Sequence, residues 1–215
     1  INPDFQPTVF GSKQPIVADN IALAYGERVI LDQVDVTIAS TSRVVLVGAN
    51  GTGKSTLLKI LAGELKPDSG QVYRAPGVVV GHLDQEQETL SLRGTLYAVY
   101  AEGLTGDFEQ LKTELLSTGL FVWDELNRPV AGLSVGQRRK LQLARLLALR
   151  ANLLLLDEPT NHISLDVLEE FESALLAFPG PIVAVSHDRR FIERFADEIW
   201  EVDEGALRKY AGGWV

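Results

Sequence analysis

Nine consecutive residues constrain this chain more than anything else in it: Gly48-Ala49-Asn50-Gly51-Thr52-Gly53-Lys54-Ser55-Thr56. They fit the pattern G-x-x-x-x-G-K-[ST] and stand where that pattern acquires meaning. Before them runs Arg43 to Val47, a short, mostly apolar stretch of the kind found in buried parallel strands. After them, Lys54 to Ala62 has helical spacing, with Leu57, Ile60 and Leu61 on one face and Gly63 placed as a C-cap. A glycine-rich turn between strand and helix lets backbone N–H groups point inward around a chain of phosphates, and the helix N-terminus adds partial positive charge. Contacts to such a ligand are expected from Gly48, Asn50, Gly51, Gly53, Lys54, Ser55 and Thr56. Lys54 is placed to reach β- and γ-phosphates, and the Ser55 hydroxyl to ligate Mg²⁺.

A second signal reinforces the first. Leu153 to Leu156 is an apolar run that ends in Asp157-Glu158. Beside a phosphate loop, an Asp at a neighbouring strand end belongs near Mg²⁺. Glu158, one residue on, is placed to orient or deprotonate an attacking water. Strand-like and helix-like stretches alternate through most of the chain. Strands are expected at Ile16–Tyr25, Val29–Ile38, Gln71–Arg74, Val78–Val80, Ile182–Val185, Glu198–Val202 and Ala206–Tyr210. Helices are expected at Ser134–Leu149, Leu165–Ala177 and Asp188–Phe195. The alternation predicts an α/β fold with a mainly parallel sheet, and the Gly48–Thr56 motif within it points to a P-loop NTPase. Residues 1 to 15, interrupted by Pro3, Pro7 and Pro15, read as a tail or linker.

Composition narrows the function classes. The 215 residues contain no cysteine, which excludes a disulfide scaffold, a Cys-ligated metal centre and a thiol nucleophile. No apolar run approaches the ~18 residues of a membrane span. The net charge of −9 argues against indiscriminate nucleic-acid binding by this piece. No methionine is present, even at position 1, so the chain is expected to be part of something longer.

Further segments fall into one order. Leu133-Ser134-Val135-Gly136-Gln137 precedes the acidic strand and resembles the signature motif of ATP-binding-cassette (ABC) ATPases. Gln85 follows a short strand, where that family has its Q-loop. His187, after Val183-Ala184-Val185-Ser186, matches the switch histidine, and Tyr25 matches the aromatic residue that stacks on adenine. Glu158-Pro159-Thr160-Asn161-His162 and Ser186-His187-Asp188-Arg189 resemble the ABC-F subfamily, whose members carry two cassettes on one chain and no membrane domain. The motifs are most similar to those of macrolide-resistance ABC-F proteins of actinomycetes.

The resemblance implies an ABC-type nucleotide-binding domain over residues 16 to 215, with an antiparallel β part and a small helical subdomain over 91 to 150. It implies ATP and Mg²⁺ as ligands, with Lys54, Ser55, Gln85, Asp157, Glu158 and His187 serving one site, where Gln85 is a Mg²⁺ or water contact. Ser134, Gly136 and Gln137 would serve the opposite site in trans. The implied partners are a second cassette, in the same full-length chain or as a homodimer, and the ribosome, in the cytoplasm. The competing implication is the ATPase subunit of a membrane transporter. Two positions depart from the pattern: Ser164 stands where the D-loop has Asp, and Val135 where the signature usually has Gly. The basic cluster Arg138, Arg139, Lys140 and Arg145 reads as a solvent-facing helix surface more than as an rRNA contact.

Overall fold

The computed structural model of the chain describes residues 13–84, 90–161 and 163–212. The first twelve positions of the expected tail, Gln85 and His162 lie outside the described residues. In chain order the elements are β1 (Ile16–Tyr25), β2 (Arg28–Ile38), β3 (Arg43–Val47), α1 (Lys54–Ala62), β4 (Ser69–Arg74) and β5 (Val80–Leu83). Then come α2 (Leu96–Ala101), α3 (Phe108–Ser117), α4 (Val135–Ala148), β6 (Leu153–Asp157), α5 (Leu165–Ala177) and β7 (Ile182–Val185). The chain ends with α6 (Arg189–Phe195), β8 (Glu198–Asp203) and β9 (Ala206–Ala211). The chain divides into two compact units. Of the described residues, one comprises 13–84, 152–159 and 180–212 and holds both sheets with α1 and α6; the other comprises 90–151, 160–161 and 163–179 and holds α2 to α5.

In the sheet-bearing unit, β2-β1-β4 form a three-stranded antiparallel sheet, and β5-β6-β7-β3-β8-β9 form a six-stranded one. The pairs β5/β6, β6/β7, β7/β3 and β3/β8 are all parallel; β9 returns antiparallel on β8. The sequence explains the difference. β6 up to Leu156 and all of β7 are apolar on both faces, and both strands are buried along their whole length, as parallel strands covered on both sides must be. β1 and β2 instead alternate, with Ile21, Leu23, Leu31, Val34 and Val36 turned inward. Those residues share one apolar cluster with Leu57, Leu58, Ile60 and Leu61 of α1 and with Leu153, Leu155, Val183, Val185 and Trp200 of the large sheet. The apolar stripe of α1 therefore fixes where the helix beginning at Lys54 lies. Its far end is closed by Gly63, whose left-handed φ of 77° lets its N–H reach the Ile60 carbonyl, and by Arg74, which donates to Leu61 O at 2.8 Å.

β5 begins two residues later than the apolar run Val78–Val80 suggests. Ala75 to Val78 are spent in a turn, with Val78 N–H donating to Ala75 O and Gly77 at φ 82°. Asn152, buried at the start of β6, clamps that turn. Its Nδ2 donates to Gly77 O and its Oδ1 accepts from Val79 N–H, both at 2.8 Å. Only after this bridge does the ladder of β5 on β6 start.

In the helical unit, α4 packs against α2, α3 and α5. This overturns the reading of its basic cluster as a solvated face. Arg139 and Lys140 retain only 2% and 4% of their surface. The Lys140 ammonium pairs with Glu170 and lies 4.9 Å from the Phe121 ring centroid. Arg145 donates to the carbonyls of Val99, Tyr100 and Glu102, holding the end of α2. A helix surrounded on three sides has little face left for solvent, so its cations serve the packing. Among the described residues no helix is long and apolar enough to cross a membrane.

The Asn152 bridge can be tested by Asn152→Ala. Stranding the Gly77 carbonyl and the Val79 N–H should cost about 1–3 kcal/mol of stability. Urea denaturation followed by tryptophan fluorescence reads it; an unchanged midpoint contradicts the assigned role.

Candidate nucleotide-binding site

Parallel pairing sets the frame of the site. Val185 of β7 is opposite Leu46 of β3 on one side and Asp157 of β6 on the other. The carboxyl ends of these three strands are thus level, and each leads directly into a loop carrying chemistry. This is the end of an open α/β sheet where ligands bind.

From β3 the chain enters Gly48, at φ 140°, where a Cβ would lie 2.3 Å from the Val202 carbonyl oxygen. Only glycine lets the loop pass so close to β8. Thr52 Oγ1 donates to Ala49 O at 3.0 Å and tightens the turn. Gly53, at φ 106°, is the N-cap of α1, and no side chain caps the helix there. The N–H groups of the first helical turn have no intrahelical partner by geometry, so they face outward as donors. Gly53 is also pressed from behind, since a Cβ would meet Ile30 Cγ2 at 2.8 Å.

Lys54 is 6% exposed, and its ammonium donates to Gly48 O and Ala49 O, both at 2.8 Å. Burial lowers its pKa below the ordinary lysine value, while the carboxylates of Glu158 and Asp157 oppose that shift. Ser55 follows, half-buried in the first turn. Arg28, at the start of β2, closes the loop from the other side by donating to Gly51 O at 2.8 Å. Its partner across the hairpin is Tyr25, which is 58% exposed.

Asp157 is 3% exposed, and its Oδ1 has no hydrogen-bond partner among the described residues. A buried, unpartnered carboxylate oxygen is costly. It is a hard donor of the kind Mg²⁺ takes, and with the Ser55 hydroxyl it makes a set that suits such a cation completed by phosphate oxygens. Glu158 sits at φ 48°, in the left-handed region, with its N–H held by Val185 O at 3.0 Å. Its Oε1 lies 3.3 Å from His187 Nε2. Burial raises the Glu158 pKa above the usual carboxylate value; His187 pulls it back, Asp157 pushes it up further, and Lys54 lowers it. A carboxylate so placed binds a proton more readily than an exposed one. His187 is held by its neighbours: Ser186 is fully buried and its Oγ accepts from Asp188 N–H, and Asp188 in turn caps α6. The structure therefore brings Lys54, Asp157, Glu158 and His187 together. Gln85 lies outside the described residues.

Ser134, Gly136 and Gln137 belong to the helical unit, at the start of α4. Ser134 Oγ accepts from Gln137 N–H at 3.2 Å, and Gln137 Oε1 accepts from Ser134 N–H at 3.0 Å, a reciprocal capping box. A Cβ on Gly136 would meet Ile163 and Val167 at 3.1 Å, so the glycine also lets α4 approach the start of α5. Val135 is half-exposed, and Ser164 is the N-cap of α5 without a side-chain capping bond.

A family model described as ABC transporter matches residues 31–161, more than half of the chain. The chain belongs to the ABC family. Among its relatives are the tylosin resistance ATP-binding protein TlrC of Streptomyces fradiae, 45% identical over 79% of this chain and 31% of its own. Another is the energy-dependent translational throttle protein EttA of Haemophilus influenzae, 37% identical over 93% of this chain and 37% of its own. These relatives are ABC-F type proteins, the subfamily the motifs indicated. The chain spans about a third of the length of the curated relatives it matches. Its fold is also that of a solved dimer of the ATP-binding cassette MJ0796 bound to ADP and Pi. That likeness has a TM-score of 0.79 at 22% identity, over 93% of this chain and 100% of the other.

Two residues that shape this ABC cassette were not singled out by the sequence reading. Arg28 carried the signal of a cation three residues after the A-loop tyrosine, yet nothing local says that it reaches Gly51. Ile30, which presses on Gly53, reads as an ordinary strand residue. Both contacts join segments distant in sequence. The strain at Glu158 has a measurable consequence. Glu158→Gly should be more stable than Glu158→Ala by about 1 kcal/mol, because only glycine adopts φ 48° without penalty. Chemical denaturation of the two variants measures it, and equal stability would show that the backbone there is relaxed.

Proposed function

We propose that the chain is the ATP-binding and hydrolysing cassette of a cytoplasmic ABC-F protein acting on the ribosome, as a translation factor or an antibiotic-resistance factor. The observation that carries the proposal is the site itself: an uncapped helix N-terminus and a buried lysine, level with an orphaned aspartate and a Glu–His pair. Similarity to TlrC and EttA supports the choice of the ribosome over a permease.

In this reading the N–H groups of Gly53 to Thr56 and the backbone at Gly48, Asn50 and Gly51 wrap the phosphates of ATP. Lys54 exchanges its two loop carbonyls for β- and γ-phosphate oxygens. Tyr25 stacks on adenine, an interaction worth ~1–3 kcal/mol and open to any base face. Asp157, Ser55 and Gln85 would hold Mg²⁺, which would supply positive charge against the phosphate oxygens. Glu158 orients a water in line with the γ-phosphorus. As the water oxygen bonds to phosphorus, the bond to the ADP oxygen breaks and a water proton passes to the Glu158 carboxylate. His187 holds Glu158 in place and stabilises the transferred group. Ser134, Gly136 and Gln137 complete the site of a second cassette, with the Ser134 hydroxyl and the α4 N-terminus directed at its γ-phosphate. One cassette alone then lacks a complete site and should hydrolyse ATP slowly.

Glu158→Gln in the full-length protein should leave ATP binding intact and cut turnover at its own site about a hundredfold or more. The same variant with ATP should sediment with ribosomes. Wild-type turnover at that site refutes the role of Glu158. Absence from the ribosomal pellet, with co-purification of a membrane permease, replaces the ribosomal reading by the transporter one.

A further inference from the structure

The β1–β2 hairpin turns at Gly26-Glu27 and brackets that turn with a directly opposed pair, Tyr25 and Arg28. Tyr25 is left exposed, while Arg28 reaches out of the hairpin and donates to the Gly51 carbonyl at 2.8 Å. This bond joins positions 23 residues apart and ties the turn to a loop otherwise suspended between β3 and α1. The fit is close. A Cβ on Gly51 would lie 3.3 Å from the same guanidinium nitrogen, and two residues along β2 Ile30 presses on Gly53. Arg28 and Ile30 thus form a two-point brace from one strand onto two glycines of one loop.

We propose that Arg28 is a positioning residue for a nucleoside triphosphate: it fixes the spacing between the base platform at Tyr25 and the phosphate loop. A ligand that spans both ends gains from this spacing, since a preset separation need not be ordered on binding. A ligand that touches only the loop does not. The inference rests on the nucleotide reading above and adds a residue to it.

Isothermal titration of the chain with Mg·ATP and with Mg·tripolyphosphate, which has no base, separates the two cases. Arg28→Ala should weaken ATP binding about fivefold, a modest loss for one exposed charge-assisted hydrogen bond, and leave tripolyphosphate binding within about twofold. Tyr25→Ala should weaken ATP binding, and the Arg28→Ala/Tyr25→Ala double variant should be no weaker than Tyr25→Ala, because without the ring no spacing remains to be held. Equal loss of both ligands would assign Arg28 to the phosphates or to loop integrity and overturn the inference. So would multiplicative losses in the double variant, or unchanged ATP binding by Arg28→Ala. Failure of the unaltered chain to bind ATP would instead sink the nucleotide reading itself.

Discussion

Parallel pairing of β3, β7 and β6 is the constraint on which the rest of the site hangs. Val185 faces Leu46 and Asp157 at once, and this register brings three loops out at the same level. A slip of one residue would turn every side chain of a strand to the opposite face. The phosphate loop, the Asp157-Glu158 pair and His187 would then no longer meet. The register is secured by burial, because β6 up to Leu156 and all of β7 are apolar and α1 lies on the same core. Stability of the core and geometry of the site are consequently one property of the same residues.

Against that rigid frame the site keeps several groups in costly states. Asp157 holds a buried oxygen without a partner among the described residues, Glu158 occupies the left-handed region, and burial opposes the charge of Lys54. Each is unfavourable in isolation, and the surrounding strands over-determine all three. In the proposed reading the first and the last are resolved by a polyphosphate with its cation, which would offer Lys54 anionic oxygens and Asp157 a positive charge. The loop carbonyls that hold the Lys54 ammonium would then act as placeholders for those oxygens.

Much of this was legible in the sequence, and the reasons differ from element to element. The strand–loop–helix at residues 43–62 was readable because glycine pattern, apolar run and helical period are all local. β6 and β7 were readable from their apolar continuity. Val78–Val80 misled because apolar content marks neither burial, since Val79 is 42% exposed, nor where a turn ends; the Asn152 clamp, contributed from far along the chain, decides that. The basic residues of α4 misled for a related reason. Charge predicts solvent only when a face is free, and packing against α2, α3 and α5 removes the free face. Arg28 escaped notice because its carbonyl acceptor is invisible in any side-chain pattern.

The central claim is that the open N–H groups of the phosphate loop and the first turn of α1 receive the phosphates of ATP. Backbone amide NMR during titration of the chain with Mg·ATP tests it most directly. The account predicts that the amides of Gly51, Gly53, Lys54 and Ser55 show the largest shifts, followed by those at Asp157 and His187. Saturable binding that leaves the phosphate-loop amides in place and moves another part of the chain would contradict it.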